Sequence, residues 1–389
     1  MVVGLLASYT GEQAADGFNI ERAMLLAEHQ INNATGVAGK RLCMVYGDTH
    51  SSTTRGLAEA KEMLEQHHPL VLIGPEDLDL ARDIQPVIAS HSTLNILPGI
   101  TSNLVAQSSA GLLLKLGPPA ESMGCSMGQS VYDNGFRSIA VVYSSSILSS
   151  TLAQSLGQRV QNYERPMSPA KVTFFPIVEN LSSYGSLTRT VADTAPDAVV
   201  LLVSTTTAAT FVQEWLPPPN VRATFMLGPG LLDQVLLENT PTGSLDGAYG
   251  VTATTSNNAD SSALGKEYSA TFGEDMFPVS NFYYDSLAVA ALAIEAASVN
   301  AGGSVPDSEQ VIAQLRYVTT SPGKKVTWNS LANGISLLRA GSDIDYDGVS
   351  GPLTMSASGE FDTASSVFDY NRAKGDTISF SNLDTCVAF

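Results

Sequence analysis

Over the first hundred residues, apolar runs of strand length alternate with segments whose apolar positions recur at helical spacing. Val2–Ala7 is a continuous apolar run, the pattern of a strand covered on both faces. Phe18–Asn33 follows, with Ile20, Ala23, Met24, Ala27 and Ile31 on one helical face. The pattern then predicts a strand at Arg41–Tyr46, an amphipathic helix at Leu57–Leu64 and a strand at Leu70–Ile73. A helix over Leu80–Ser90 and a strand at Leu94–Leu97 complete a βαβαβαβ order. Such an order requires a parallel sheet with helices on both faces. Turn residues follow the strands at 9–11, 47–49, 74–75 and 98–99.

A second unit of the same kind starts after Gly117–Pro119. Apolar strands are predicted at Ile139–Tyr143, Lys171–Phe175, Ala198–Val203 and Thr224–Leu227. Helices are expected between them at Ser149–Tyr163, Tyr184–Asp193 and Thr207–Trp215. Two doubly wound units imply a cleft between them, the usual place for a ligand. Beyond them the simple sequence of two domains breaks. Tyr249–Thr254 reads as a strand and Phe282–Asn300 as a long helix. Trp328, Leu331, Ile335 and Leu338 mark a further helix, and Gly351–Phe389 reads as short strands with turns. The chain is therefore expected to cross between its units more than once.

Composition narrows the partners. Of the 389 residues, 44% are hydrophobic and 15% charged, so the chain is globular. No uninterrupted apolar run reaches the roughly 20 residues that span a bilayer, so a spanning segment is not expected. With 38 acidic against 20 basic residues and a net charge of −18, nucleic acid and anionic lipid are excluded as partners. The acidity is read as a matter of solubility. The sequence opens on a strand, as a mature chain would, which leaves open a leader or lipid anchor on the precursor. Cys43, Cys125 and Cys386 fit no CxxC pattern; either one disulfide plus a free thiol, or buried thiols, would account for them.

Motifs of catalysis fail on inspection. Gly124-Cys125-Ser126-Met127-Gly128 matches GxSxG, but no apolar strand precedes it and all five histidines lie before residue 92. A small-residue helix face is expected there instead. Asp343–Gly348 opens like a calcium loop, yet its twelfth position is Thr354 where a bidentate Glu belongs; a polar turn is expected. His67 and His68 are adjacent and suit a helix end rather than a metal. Gly228-Pro229-Gly230 lacks the rest of a dinucleotide fingerprint, and no phosphate loop is present. Neither an enzyme nor a cofactor is expected.

The order of motifs resembles the type I periplasmic binding proteins of the leucine/isoleucine/valine-binding class, the receptors of amino-acid ABC transporters. The resemblance rests on VVGLLASYTG (2–11), IGP (73–75), NILPGITS (95–102) and FYYDSLAVAALAIEAA (282–297), then DYDGVSGPLTMSASGEFD (345–362) and VFDY (367–370). It implies an α/β fold of two doubly wound parallel-sheet lobes joined by three crossovers. Lobe 1 would be 1–118 plus 254–342, and lobe 2 would be 119–253 plus 343–389.

The resemblance also implies a ligand carboxylate held in lobe 1 by hydroxyls and amides of the loops after the third and fourth strands, where helix N-termini favour an anion. The fourth-strand loop maps as Gly99, Ile100, Thr101 and Ser102. In the third-strand loop, Glu76, Asp77, Leu78 and Asp79 replace small hydroxyl residues; these acids either cap the next helix or turn toward a cationic group. Tyr9 and Thr10, after the first strand, join Asp77 and Leu78 as candidate contacts. In lobe 2 the family's aromatic and acidic grip on an α-ammonium maps onto Leu148, Ser204 and Gly230. Ser144–Ile147, with Ser146, and Thr205–Thr207 hold no aromatic or acid either. Leucine, isoleucine and valine are accordingly expected to bind weakly. The ligand is expected to be a carboxylic acid, a small polar amide or a modified amino acid. Tyr283 or Tyr284 and Asp285 stand where members of the family have their hinge, either touching ligand or simply starting a helix.

What the resemblance implies is a monomeric extracytoplasmic solute-binding protein serving an ABC permease, or the same fold used as a ligand-sensing or regulatory lipoprotein.

Overall fold

The computed structural model describes residues 1–107, 111–162, 170–219, 221–232, 234–254, 259–355, 367–374 and 377–383. The chain divides into two compact units, Met1–Pro118 with Thr255–Ser365, and Pro119–Thr254 with Ser366–Phe389.

The first unit opens with β1 (Val2–Ala7), α1 (Ala14–Asn33), β2 (Cys43–Asp48), α2 (Thr53–His67) and β3 (Val71–Ile73). It continues with α3 (Leu78–Asp83), α4 (Gln85–His91), β4 (Leu94–Leu97), α5 (Asn103–Ala106) and β5 (Leu113–Lys115). The five strands form one parallel sheet in the order β2-β1-β3-β4-β5. Val3, Leu5, Val71, Ile73, Leu94 and Ile96 are fully buried, as strands between two helical layers must be. The single helix expected over 80–90 is two helices. Pro86, early in α4, has no N–H to continue α3, and the chain breaks at Ile84. His67 and His68 do end α2, His68 as its left-handed cap.

The second unit holds α6 (Ala120–Asp133), β6 (Ser138–Tyr143), α7 (Ile147–Gln161), β7 (Lys171–Pro176), α8 (Gly185–Ala192) and β8 (Ala198–Leu202). Then come α9 (Thr205–Gln213), β9 (Thr224–Leu227), α10 (Gln234–Glu238) and β10 (Tyr249–Thr254). The GxSxG look-alike is indeed a small-residue face of α6. A Cβ at Gly124 or Gly128 would stand 2.7 Å from the Leu152 or Leu156 carbonyl oxygen, so α6 lies backbone-close on α7. Cys125 on this helix is disulfide-bonded, while Cys43 is free and exposed. Cys386 lies outside the described residues.

The chain then completes the first unit with α11 (Ala259–Phe272), α12 (Pro278–Asn300), α13 (Ser308–Thr319), β11 (Lys324–Thr327), α14 (Leu331–Arg339), β12 (Ile344–Gly348) and β13 (Gly351–Pro352). Helix α12 is long and apolar enough to cross a membrane by length and composition, contrary to the reading of the sequence. It is instead the core helix of this unit, with every residue from Ser280 to Ser298 buried. Asn19 on α1 fixes its entry, accepting from the Phe277 N–H and the Ser280 hydroxyl, both at 2.8 Å.

Two expectations need correction here. Asp343–Gly348 is not a polar turn: β12 pairs in parallel with β11 and buries Ile344, Tyr346 and Gly348, while Asp347 faces out to Lys325 at 2.9 Å. For the same reason residues 344–352 belong to the first unit, and the return to the second comes at Ser366 and not at residue 343. The turn after β12 is pinned by Asp285 of α12. Its carboxylate accepts from the Tyr346 hydroxyl (2.7 Å), the Val349 N–H (3.1 Å), the Ser350 N–H (2.8 Å) and the Ser350 hydroxyl (2.5 Å). Finally β14 (Val367–Lys374) and β15 (Thr377–Leu383) add antiparallel to the second sheet, whose order is β15-β14-β10-β9-β8-β6-β7.

Candidate functional site

In the first unit, three strands of the parallel sheet end in loops that the sequence marked as candidates. After β1, Asp48 at the end of β2 gathers the chain. It accepts from the N–H groups of Tyr9 (2.9 Å), Thr10 (3.3 Å) and His50 (2.8 Å), and from the Thr10 hydroxyl (2.8 Å). Burial works against this carboxylate, but the donors hold its pKa below the usual range. The Thr10 hydroxyl is thus committed to Asp48. Gly17 lets α1 start against this loop, since a Cβ there would stand 1.9 Å from the Ser8 carbonyl oxygen.

After β3, buried Asn95 donates to the Gly74 carbonyl at 2.7 Å and steadies the next loop. Asp77 caps α3, accepting from the N–H groups of Asp79 (2.7 Å) and Leu80 (3.0 Å) and from the Thr53 hydroxyl (3.1 Å). Its carboxylate is therefore occupied by structure, and Leu78 is buried. After β4, Gly99 is buried and passes so close to the end of β5 that a Cβ on Gly117 would lie 1.8 Å from its carbonyl oxygen. Ile100 is partly buried. Thr101 is 2% exposed, and its hydroxyl donates to the carbonyls of Gly117 (3.2 Å) and Pro118 (3.4 Å). Ser102 caps α5, accepting from the Leu104 N–H at 3.2 Å. The hydroxyls assigned to a carboxylate thus serve the backbone.

The second unit repeats this economy. Ser146 caps α7 and Ser204 caps α9, each accepting an N–H three residues on. Leu148 is partly buried; Gly230 is exposed, with a left-handed φ of 69°. Glu179, which the sequence reading passed over, accepts the Ser204 N–H at 2.6 Å.

Among the described residues, buried side-chain oxygens without a hydrogen-bond partner occur in both units, at Thr151 and Ser244 in the second and at Tyr9, Tyr283 and Asp343 in the first. Tyr283 of α12 is fully buried, and its hydroxyl has no hydrogen-bond partner among the described residues; the same holds for the buried hydroxyl of Tyr9. The Tyr9 ring meets Phe18 and Tyr46 edge-on, at 5.5 and 6.3 Å between centroids. Glu76, immediately before the capping Asp77, is partly buried. Its carboxyl makes no hydrogen bond or ion pair to a described residue, and burial, with the charge of Asp16, pushes its pKa up to about 8. The Tyr283 hydroxyl is raised well above the phenol range by burial first, then by the charges of Glu76 and Asp16 and by Tyr9. Tyr9 is raised by burial and by Glu21, Tyr46, Asp48 and Glu76. A cavity of about 10 Å³, the size of one water, opens among these loops, lined by Ser8, Thr49, Ser51, Glu76 and Asp77 among others. The Tyr283 hydroxyl thus lies within electrostatic reach of Glu76 and Tyr9, while the cavity beside Glu76 is lined by neither tyrosine.

Residues 1–365 match the family model of the periplasmic binding proteins. The chain belongs to that family. As a member it is an extracytoplasmic solute-binding protein, and the disulfide at Cys125 agrees with an oxidising compartment. Over 102 residues it is 29% identical to Leu/Ile/Val-binding protein homolog 2 of Brucella abortus, a stretch covering 26% of this chain and 27% of that protein. A leucine-binding protein of Thermotoga maritima superposes with a TM-score of 0.78 at 16% identity, covering 99% of both chains. An ABC-transporter solute-binding protein of R. palustris, solved with benzoate, superposes at 0.71 and 16% identity, over 98% of this chain and 95% of that one. At these identities the likeness speaks for the fold.

Proposed function

We propose that the chain is the substrate receptor of an ABC transporter, closing its two units on one small polar molecule and presenting it to a membrane permease. The observation that carries this reading is the division of the chain. Two doubly wound units are crossed three times, at 118, 254 and 365, and a few element-terminal residues at such crossings can absorb a hinge rotation. A ligand touched by both units is fully satisfied only when they close, so binding shifts the population toward the closed state. The relatives' ligands, leucine and benzoate by their names, set the size range. Small-angle scattering tests the reading on protein stripped of ligand and then saturated with a compound found by thermal-shift screening. A smaller radius of gyration is expected on saturation. An unchanged radius would remove the closing receptor as an account of this fold.

A further inference from the structure

We propose that the Glu76 carboxylate, with the hydroxyls of Tyr9 and Tyr283, seats a protonated amine of the ligand, so that the solute is a cationic or amine-bearing molecule. This rests on the solute-receptor reading and deepens it.

Three observations point the same way. First, the groups are uncommitted. Among the described residues the fully buried Tyr283 hydroxyl and the buried Tyr9 hydroxyl have no partner and Glu76 makes no bond, although Asp77 beside it makes three. Buried polar groups are seldom left so, their bonds being completed by water or ligand, and Tyr283, Tyr9 and Glu76 act on one another electrostatically. Second, the charge around them is of one sign. Asp16 and Glu21 on α1, Asp48 and Tyr46 on β2, and Glu76 on the β3 loop act on this group, and no Lys or Arg does. The basic residue near Glu21, Arg22, is engaged by Glu274. Third, the stoichiometry fits. A primary ammonium offers three N–H donors and no acceptor; one carboxylate oxygen and two phenol oxygens accept all three. The hydroxyls of Thr101 and Ser102, the alternative holders of a ligand carboxylate, are already spent on the backbone.

The seat carries a proton signature. Burial and Asp16 keep the Glu76 carboxyl protonated up to about pH 8 in the empty protein, and it must ionise to pair with a cation. Below that pH, binding an ammonium therefore releases about one proton, and affinity rises nearly tenfold per pH unit. Asp16, Glu21 and Asp48 act on the same groups, and the two tyrosines stay neutral throughout.

The test uses matched pairs that differ in the charged end: benzylamine and benzoate, butylamine and butyrate, putrescine and succinate, together with mass spectrometry of molecules retained by the purified protein. Amine-bearing members should bind and raise the melting temperature, and calorimetry in two buffers should show proton release at pH 6.5. Glu76→Gln should weaken amine binding a hundredfold or more, with partial rescue in Glu76→Asp. Tyr283→Phe should weaken it about tenfold while leaving the empty protein at least as stable, because that hydroxyl bonds no described residue. Binding confined to carboxylates, unchanged in Glu76→Gln, would overturn the amine seat and leave the receptor reading standing. If neither the pairs nor the retained pool yield any bound molecule, both fall together.

Discussion

If Glu76 is kept for a ligand, the empty protein should carry its cost, and replacing it by Gln should expose that cost as a difference between two pH curves. A glutamine keeps the shape of the protonated acid and cannot ionise. The folded-state pKa of Glu76 is raised from 4.5 to about 8. A raised acid contributes stability that is fully present below the unfolded pKa and is lost as pH climbs through the folded one. Below about pH 4.5 the two proteins should therefore be equally stable. Between pH 4.5 and 8 the wild type should fall away from the variant. At 1.36 kcal/mol per unit the full shift amounts to about 5 kcal/mol. Because the residue is only partly buried, water screens part of that, and about 2 kcal/mol is the expected gap. For units of this size that is roughly 4–8 °C in melting temperature. Thermal denaturation of both proteins at half-unit steps from pH 4.5 to 9, without ligand, measures it directly. Parallel curves across that range would refute the buried, unpaired carboxyl on which the seat depends.

Other substitutions separate structure from site. Thr101→Val should cost the empty protein about 1–2 kcal/mol, because the bonds to the Gly117 and Pro118 carbonyls are lost, while ligand affinity measured by calorimetry stays within twofold. Gly348→Ala should destabilise strongly in thermal melts, since its Cβ would meet the Asp285 carboxylate at 2.5 Å and Leu353 at 2.8 Å. Asp285→Asn keeps one accepting oxygen and turns an amide against the Ser350 N–H. A loss of about 1–3 kcal/mol is expected, and urea melts near neutral pH would check it.

The parallel sheets were legible because their strands are unbroken apolar runs, and β4 and β9 were read to the residue. Local signals that were present but outvoted account for several misses. Ile344, Tyr346 and Gly348 alternate as a strand should, but the acids between them suggested a turn. Helix α13 announces itself with a capping box at Asp307 and Gln310 and with Val311, Leu315 and Val318 beyond. Pro86 marked the break between α3 and α4. The boundary at residue 366 was not readable in the same way. It depends on Asp285 reaching a turn some sixty residues downstream, a long-range contact that no periodicity encodes. The site divides likewise. Asp77 as a helix cap follows from sequence grammar, whereas Glu76 becomes distinct only once the fold sets it within electrostatic reach of Tyr9 from the loop after β1 and Tyr283 from α12.

That contrast extends to the hydroxyl-rich loops around Glu76. Thr10, Asp48, Asp77, Thr101 and Ser102 each spend their bonds on neighbouring backbone or side chains, and so hold three loops in one geometry without ligand. Preorganisation of this kind lowers the ordering cost of association. Tyr283 and Glu76 are the opposite case. A phenylalanine at 283 would fill the same core volume and strand no hydroxyl, and leaving such a hydroxyl unmet costs about 1–3 kcal/mol. A leucine or glutamine at 76 would avoid burying an acid. The described residues give no bond to the oxygens that Tyr283 and Glu76 carry, which is the ground on which the amine seat is proposed. Their spacing along the chain, one before a helix cap and one inside the most buried helix of the unit, is the mark of a binding group assembled by the tertiary fold on a frame that stands without it.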